Sequence, residues 1–360
     1  MRSELFWKEK TKGGYLVRAA SYTWGALNSL RRRLYQYGLL PSQKAPLPLI
    51  SVGNLTVGGS AKTPMAIYLA GELIRRGLNP AVLSRGYGRK RSRLYPDPVL
   101  VSLGLGPLVA LDYSGDEPQL VAKLTRSMVL VSKKRSLAAA EAVKQGADCL
   151  ILDDGFQHLS LKRDLDILMF QGEKPLGNGR VLPAGPLREN ISAAAAADIF
   201  VVVGNGETPE VPKSIRNLSS DKPIFTAKIE AGAFSSLRGQ KRLEVDFLKG
   251  KRLSAFCGLA RPQLFKKTLL NLGLEPVAFR AFRDHEPYGP MERKALEDLL
   301  NFSRSEYLLT TLKDSIKLED MKLPILALES ALVPTDAPAF LKAVLEKLPP
   351  SLQKENPPEE

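Results

Sequence analysis

Leu49-Ile-Ser-Val-Gly-Asn-Leu-Thr-Val-Gly-Gly-Ser-Ala-Lys-Thr-Pro64 is the stretch on which the fold reading turns. The apolar run Leu47 to Val52, with one proline, reads as a buried strand, and a turn of small residues follows it. Lys62-Thr63 then opens a helical pattern with Met65, Leu69 and Leu73 on one face. Strand, glycine-containing turn, Lys-Thr and helix is the layout of a phosphate-binding loop, whose backbone N–H groups and helix N-terminus hold phosphate oxygens. In that reading Lys62 reaches the β- and γ-phosphates and the Thr63 hydroxyl serves Mg²⁺. Pro64 suits a first helical turn, where no N–H is required of it. The nucleotide-binding residues would be Thr56, Val57, Gly58, Gly59, Ser60, Ala61, Lys62 and Thr63. The strict G-x-x-x-x-G-K-[ST] pattern is broken, because Thr56 and Ala61 stand at the two glycine positions. A Cβ at Ala61 can crowd the phosphates or resist an unusual backbone angle. The competing reading is a glycine-rich turn before an ordinary helix.

Working outward, Ala81 to Ser84 and Met128 to Val131 read as further strands separated by helices, which gives parallel pairing. Asp148-Cys-Leu-Ile-Leu-Asp-Asp154 is an apolar strand ending in paired carboxylates, the form that places an aspartate beside the metal of a phosphate loop. An acidic turn is the plainer alternative. Gln157 and His158 follow on the same loop. Ser84-Arg-Gly-Tyr-Gly-Arg-Lys-Arg91 is a basic loop at a strand end, carrying Arg85 and Tyr87, and suits a substrate phosphate or a solvated turn. A basic cluster ending in Arg135 closes the next strand. Asp116 and Glu117 fall at a helix start, where capping alone would account for them. The Gly- and Pro-rich stretch Leu176 to Glu189, containing Arg180, Arg188 and Glu189, reads as the interdomain crossing.

Beyond Ile199 the alternation restarts, with strands near 199–203, 223–229, 253–257, 277–280, 306–310 and 324–327. Helices fall near 262–272, 291–302 and 336–347. His285, one of two histidines, sits in a polar loop beside Asp284 and Glu286, as a usable acid/base group or a surface histidine. Lys313 closes another strand. The fold class is therefore α/β: an N-terminal, membrane-associating amphipathic helix segment over 1–40, a P-loop NTPase-like parallel-sheet domain over 41–185, and a second, smaller α/β domain over 186–347. A tail over 348–360 reads as disordered.

Residues 15–40 carry Leu16, Ala20, Trp24, Leu27, Leu30, Leu34 and Tyr37 every three or four positions, an amphipathic helix rich in arginine and aromatics. Such a helix suits a membrane interface, or a surface helix with a solvated arginine face. Ala19 to Leu30 is uncharged for only 12 residues, against roughly 20 needed to span a bilayer. No cleavable signal peptide is legible, so the expectation is a cytoplasmic protein peripheral to a membrane. Net charge is +14 over 360 residues, with a pI near 9.6. Nucleic acid, an anionic membrane surface and phosphorylated substrates are the matching partners. Nucleic acid is disfavoured, because the aromatics are gathered with arginines in one helix instead of being spread as stacking platforms. Two cysteines and two histidines do not supply a Cys/His zinc site.

Seven motifs in order resemble the tetraacyldisaccharide 4′-kinase family of lipid A biosynthesis. They are Gly53-Asn-Leu-Thr-Val-Gly-Gly-x-x-Lys62-Thr-Pro, Ser84-Arg-Gly-Tyr-Gly88, Gly115-Asp-Glu-Pro118 and Asp153-Asp-Gly-Phe-Gln-His158. Leu182-Pro-Ala-Gly-Pro-Leu-Arg-Glu189, Phe282-x-Asp-His285 and Thr311-x-Lys-Asp314 complete the set. The resemblance implies ATP- and Mg²⁺-dependent phosphorylation of the 4′-hydroxyl of tetraacyldisaccharide 1-phosphate. It also implies attachment through the N-terminal helix to the cytoplasmic face of the bacterial inner membrane, and two lobes closing over the nucleotide. By motif, Lys62 contacts phosphates, Thr63 and Asp153 serve the metal, Asp116 is the general base, and His285 supports it. Asp154 joins the catalytic group; Gln157 and Glu189 lie near the nucleotide. Arg85, Tyr87, Asp116, Arg135, His158 and Arg188 are expected on the lipid substrate. The family usually has Gly at Ala61 and Pro at Asn190. A non-catalytic, nucleotide-switched peripheral membrane protein is the alternative function.

Overall fold

The computed structural model describes residues 14–172, 174–219, 221–239 and 241–353. The first 13 residues of the expected N-terminal segment and the last seven of the expected tail lie outside them. The chain forms two compact units, one of residues 1–228 with 332–360 and one of residues 229–331.

In the first unit, α1 (Gly14–Gln36) precedes β1 (Leu49–Gly53), α2 (Lys62–Arg75), β2 (Pro80–Ser84) and β3 (Val99–Leu103). Next come α3 (Asp116–Leu124), β4 (Met128–Val131), α4 (Arg135–Lys144), β5 (Cys149–Asp153), β6 (Leu165–Gln171) and β7 (Ile199–Asn205). The sheet order is β7-β6-β1-β5-β2-β4-β3, parallel throughout except for β3, which runs antiparallel to β4. β1, β2, β4 and β5 are buried at every position, as strands covered on both faces must be, so they read as unbroken apolar runs. One face packs Leu83, Leu130 and Leu152 against the alanine face of α4 (Ala138, Ala139, Ala142). Another cluster gathers Leu55, Phe156, Phe170, Leu187 and Phe200. β1 sits between β5 and β6, so the phosphate loop at its C-terminal end lies next to the Asp153 end of β5. That is where parallel sheets place ligands.

The second unit contains β8 from residue 229 of Ile224–Ser236, β9 (Arg242–Glu244), β10 (Leu253–Cys257), α5 (Pro262–Asn271), β11 (Ala278–Ala281), α6 (Pro290–Ser303), β12 (Tyr307–Thr311) and β13 to residue 331 of Ile325–Pro334. Its order β11-β10-β12-β13 is parallel, with β9 antiparallel to β8. Phe234, Leu253, Leu269 and Leu309 centre one core, and Phe256, Tyr288 and Leu308 the other.

The expected boundary at 185/186 is corrected to 228/229 and 331/332. β7 extends the first sheet through its pairing with β6, so residues 186–228 belong with the phosphate loop. The Gly- and Pro-rich stretch is likewise no crossing. Its Pro186 carbonyl accepts from Val57 N at 2.8 Å, and Arg188 N donates to the Leu55 carbonyl at 2.7 Å. The alanine run forms a 3₁₀ helix, Ile191–Ala196. Both cysteines are buried and unpaired in disulfides.

α1 docks by an unexpected face. Its buried residues are Ser21, Gly25 and Arg32, whereas Leu16, Tyr22, Leu27 and Leu30 are exposed. No helix among the described residues is long and apolar enough to cross a membrane.

Candidate active site

The loop Asn54–Ala61 leaves β1 through Gly53, where a Cβ would stand 2.4 Å from the Phe156 Cβ. Only glycine permits that approach, which brings the chain after Asp153 against the phosphate loop. Gly58 has φ +99°, and Ala61 adopts φ +57° as it enters α2. Ala61 thus holds a left-handed angle that costs an L-residue on the order of 1 kcal/mol. The first-turn N–H groups of α2, including those of Lys62 and Thr63, have no partner within the helix and are available to an anion. Lys62 Nζ donates to Asn54 Oδ1 at 3.2 Å and Ser60 Oγ at 3.3 Å, and lies 3.5 Å from Asp154 Oδ1. Burial lowers its pKa despite the opposing pull of Asp154.

Across from it, Thr63 Oγ1 donates to Asp153 Oδ2 at 2.9 Å. Asp153 is 3% exposed, and its Oδ1 is buried with no hydrogen-bond partner. Burial, seconded by the charge of Asp154, pushes its carboxyl up to about 6. A buried carboxylate oxygen without a donor, beside a hydroxyl and under a cationic loop, fits a divalent cation. Among the described residues no group of three or more His, Cys, Asp and Glu forms a metal cage. One carboxylate and one hydroxyl suit Mg²⁺ in particular, since that ion takes most of its oxygens from water and phosphate.

Asp154 sits at φ +56°. Arg188 Nη1 donates to both its oxygens at 2.9 Å and to Gln157 Oε1 at 3.2 Å, while Gln157 Nε2 donates to the Asn54 carbonyl at 2.9 Å. Burial alone would raise the Asp154 pKa, but Lys62 and Arg188 outweigh it and hold the group below its usual range. Lys62, Thr63, Asp153, Asp154, Gln157 and Arg188 are therefore brought into one linked set. Glu189 is not part of it: both its oxygens are engaged by Arg32 of α1, at 2.9 and 3.0 Å.

A cationic surround borders this set. Burial, with Arg135, Arg163, Arg31 and Arg85 close by, pulls His158 down to about 4 and leaves it neutral at pH 7; its Nε2 lies 3.2 Å from Ser160 Oγ. Arg135 is 4% exposed; burial, then Arg85, lowers it to about 10, and it stays charged. A groove of about 260 Å³ runs past Arg85, Tyr87, Arg89, Arg91 and Lys133. Asp116 is the first residue of α3, directly after the N-cap Gly115, and with Glu117 it makes the first helical turn acidic. Gly115, at φ +88°, presses against the Tyr87 carbonyl, where a Cβ would stand at 2.9 Å, and this packs the Asp116 turn on the basic loop.

In the second unit, His285 has φ +59° and Lys313 Nζ lies 3.1 Å from its Nε2, so the ring accepts there from a charged lysine. Asp314 is fully buried, with Oδ2 accepting from Gly258 N at 3.1 Å and from Thr311 Oγ1 at 2.7 Å. Burial, then Asp314, raises the Tyr288 phenol far above its ordinary range.

Sequence reasoning passed over Asn54, Arg31 and Arg32. The signal for Asn54 is a polar residue directly behind a buried strand end, within the first motif. Arg31 and Arg32 carry no signal apart from their place in an arginine run.

The profile of the family described as Tetraacyldisaccharide-1-P 4'-kinase matches residues 14–349. The chain belongs to the tetraacyldisaccharide 1-phosphate 4′-kinase family. Within that family, the Tetraacyldisaccharide 4'-kinase of Syntrophus aciditrophicus (strain SB) is 40% identical over 307 residues, 81% of each chain. That of Anaeromyxobacter dehalogenans (strain 2CP-C) is 38% identical over 328 residues, 88% of this chain and 85% of the relative. A crystal structure of LpxK from Aquifex aeolicus in complex with ATP superposes with a TM-score of 0.75 at 32% identity, covering 92% of this chain and 98% of that one. The α/β architecture expected from the phosphate loop is that of this 4′-kinase family.

Proposed function

We infer that this chain transfers the γ-phosphoryl group of ATP to the 4′-hydroxyl of tetraacyldisaccharide 1-phosphate, a step of lipid A biosynthesis. The observation that carries the reading is Thr63 paired with Asp153 at the foot of the phosphate loop, with one Asp153 oxygen buried and unsatisfied. That arrangement is built for a metal-bound polyphosphate.

Phosphoryl transfer asks the protein mainly for positioning and charge neutralisation. The N–H groups of the loop and of the α2 N-terminus hold the phosphates, and Lys62 neutralises the charge that gathers on them. Thr63 and Asp153 would hold Mg²⁺, which when bound supplies further neutralisation of the β- and γ-phosphate oxygens. Asp154, fixed by Arg188 and Lys62, sets the position of both cations. Asp116 is the proposed base. It takes the proton of the 4′-hydroxyl as that oxygen bonds to the γ-phosphorus; the bond to the β–γ bridging oxygen breaks and ADP leaves. His285 is the second acid/base group of the proposal. Arg85, Tyr87, Arg135, His158 and Arg188 are proposed substrate contacts, a cationic surround suited to an anionic glycolipid.

The proposed location is the cytoplasmic face of the inner membrane. α1 has four arginines and no acidic residue, and its exposed Leu16, Leu27 and Leu30 suit the headgroup–acyl boundary of an anionic bilayer. An acyl chain costs about 0.8 kcal/mol per CH₂ to expose to water, so the enzyme goes to its substrate. Nucleic acid is not a proposed partner.

ATP consumption in detergent micelles tests the reading. Turnover that starts only when tetraacyldisaccharide 1-phosphate is added supports it. Slow hydrolysis indifferent to the lipid would replace it with a nucleotide-switched protein.

A further inference from the structure

The packed face of α1 is not apolar; it is a row of donors aimed at two loops of the phosphate site. Ser21 Oγ donates to the Val181 carbonyl at 2.6 Å and Trp24 Nε1 to the Arg188 carbonyl at 3.2 Å. Arg31 Nη2 donates to the Gln157 carbonyl at 3.2 Å. In return, Asn190 Nδ2 donates to the Gly25 carbonyl at 3.0 Å and to Ser29 Oγ at 2.8 Å. At Gly25 a Cβ would stand 2.9 Å from Asn190 Oδ1, so a larger residue would displace the Asn190 amide from this seat.

The centre of the row is Arg32. Its side chain is 9% exposed and that of Glu189 4%, and the guanidinium forks onto both carboxylate oxygens. The same guanidinium lies 4.8 Å from the centre of the Phe156 ring and donates to the Phe156 carbonyl at 3.4 Å. Each residue that Arg32 grips is the chain neighbour of a residue in the phosphate site. Glu189 follows Arg188, which holds Asp154 by both oxygens; Phe156 precedes Gln157, which binds the Asn54 carbonyl and Arg188.

We propose that Arg32 is a positioning residue of the phosphate site, tying the loops of Arg188 and Gln157 to the helix whose other face meets the membrane. The seating of α1 and the geometry of Asp154 and Lys62 are then one mechanical unit. The membrane half of this inference rests on the proposed function above; the nucleotide half does not. A lysine at position 32 keeps the charge that Glu189 needs but loses the planar fork that reaches both Glu189 oxygens and Phe156.

The test compares the full chain with Arg32→Ala, Arg32→Lys and the double variant Leu27→Glu/Leu30→Glu in detergent micelles. The readouts are the Kd for a non-hydrolysable ATP analogue, kcat, the KM for lipid, and melting temperature. For Arg32→Ala, the analogue Kd rises about tenfold or more and kcat falls, with lipid KM within about twofold of wild type. Arg32→Lys shows a partial defect of the same kind, about threefold in Kd. The helix-face variant shows the opposite split, with lipid KM and vesicle binding impaired and analogue Kd unchanged. Folded Arg32→Ala or Arg32→Lys with wild-type analogue Kd and kcat would overturn the proposal and leave Arg32 a fastening of the fold alone. If Arg32→Ala does not fold, Arg32→Lys decides by itself. Loss of lipid transfer in wild type would refute the kinase reading instead, without touching the analogue-binding comparison.

Discussion

The hydroxyl of Thr63 and the carboxylate of Asp153 meet at 2.9 Å, using one Asp153 oxygen and leaving the other buried without a donor. A native chain tolerates a buried carboxylate oxygen of this kind where a ligand completes it. Asp153→Asn keeps the shape and removes the charge. The expected result is a loss of turnover on the order of 10² or more at saturating ATP, with a much higher Mg²⁺ requirement. Turnover and Mg²⁺ dependence close to wild type would take Asp153 out of the metal site.

Asp116 opens α3 on the turn that Gly115 packs against the basic loop, and it is the proposed base. Asp116→Asn should lower kcat by about 10² to 10⁴ with nucleotide affinity within about twofold, the pattern of a lost general base. Near-normal kcat would exclude it from that role.

Ala61 carries φ +57°. Ala61→Gly removes the Cβ penalty, and this outweighs the added freedom of glycine in the unfolded chain. The variant should be more stable by about 0.5 to 1 kcal/mol in urea unfolding, with nucleotide affinity equal or better. A less stable glycine variant would mean that the strain is absent in solution.

His158 is pulled from 6.5 to about 4 by burial and the surrounding arginines. A histidine whose folded pKa is depressed is neutral in the native state while the unfolded chain takes a proton. Stability from this group is therefore present above pH 6.5 and lost as pH falls from 6.5 towards 4. His158→Gln should flatten the pH dependence of the melting temperature across that window. An unchanged slope would place the titration elsewhere.

Much of the architecture could be read without coordinates. Val52, Leu83, Leu130 and Leu152 lie in short apolar runs between helical patterns, and a parallel sheet buried on both faces has to look that way. Asp153 and Lys62 were legible for a similar reason: charges at buried strand and loop ends have few plain explanations. The docking face of α1 was not legible, because periodicity marks an apolar stripe and normally assigns it to the interior. Here the interior side is Ser21, Gly25 and Arg32, held by hydrogen bonds that only their distant partners reveal. Glu189 is the matching case, a motif residue assigned to the nucleotide whose carboxylate is instead taken by Arg32, 157 positions away. The 176–189 stretch has the composition of a linker, yet Pro186 and Arg188 pair with the phosphate loop. β3 gave no signal, lying behind Pro96 and Pro98 as an antiparallel edge.

The most direct test is transfer of labelled γ-phosphate from ATP to tetraacyldisaccharide 1-phosphate in detergent micelles, wild type beside Lys62→Ala. Label on the 4′ position of the lipid with wild type, and at most a residual trace with Lys62→Ala, is the result this account predicts. Folded wild-type protein that leaves the lipid unlabelled, or a Lys62→Ala variant that labels it equally well, would contradict it.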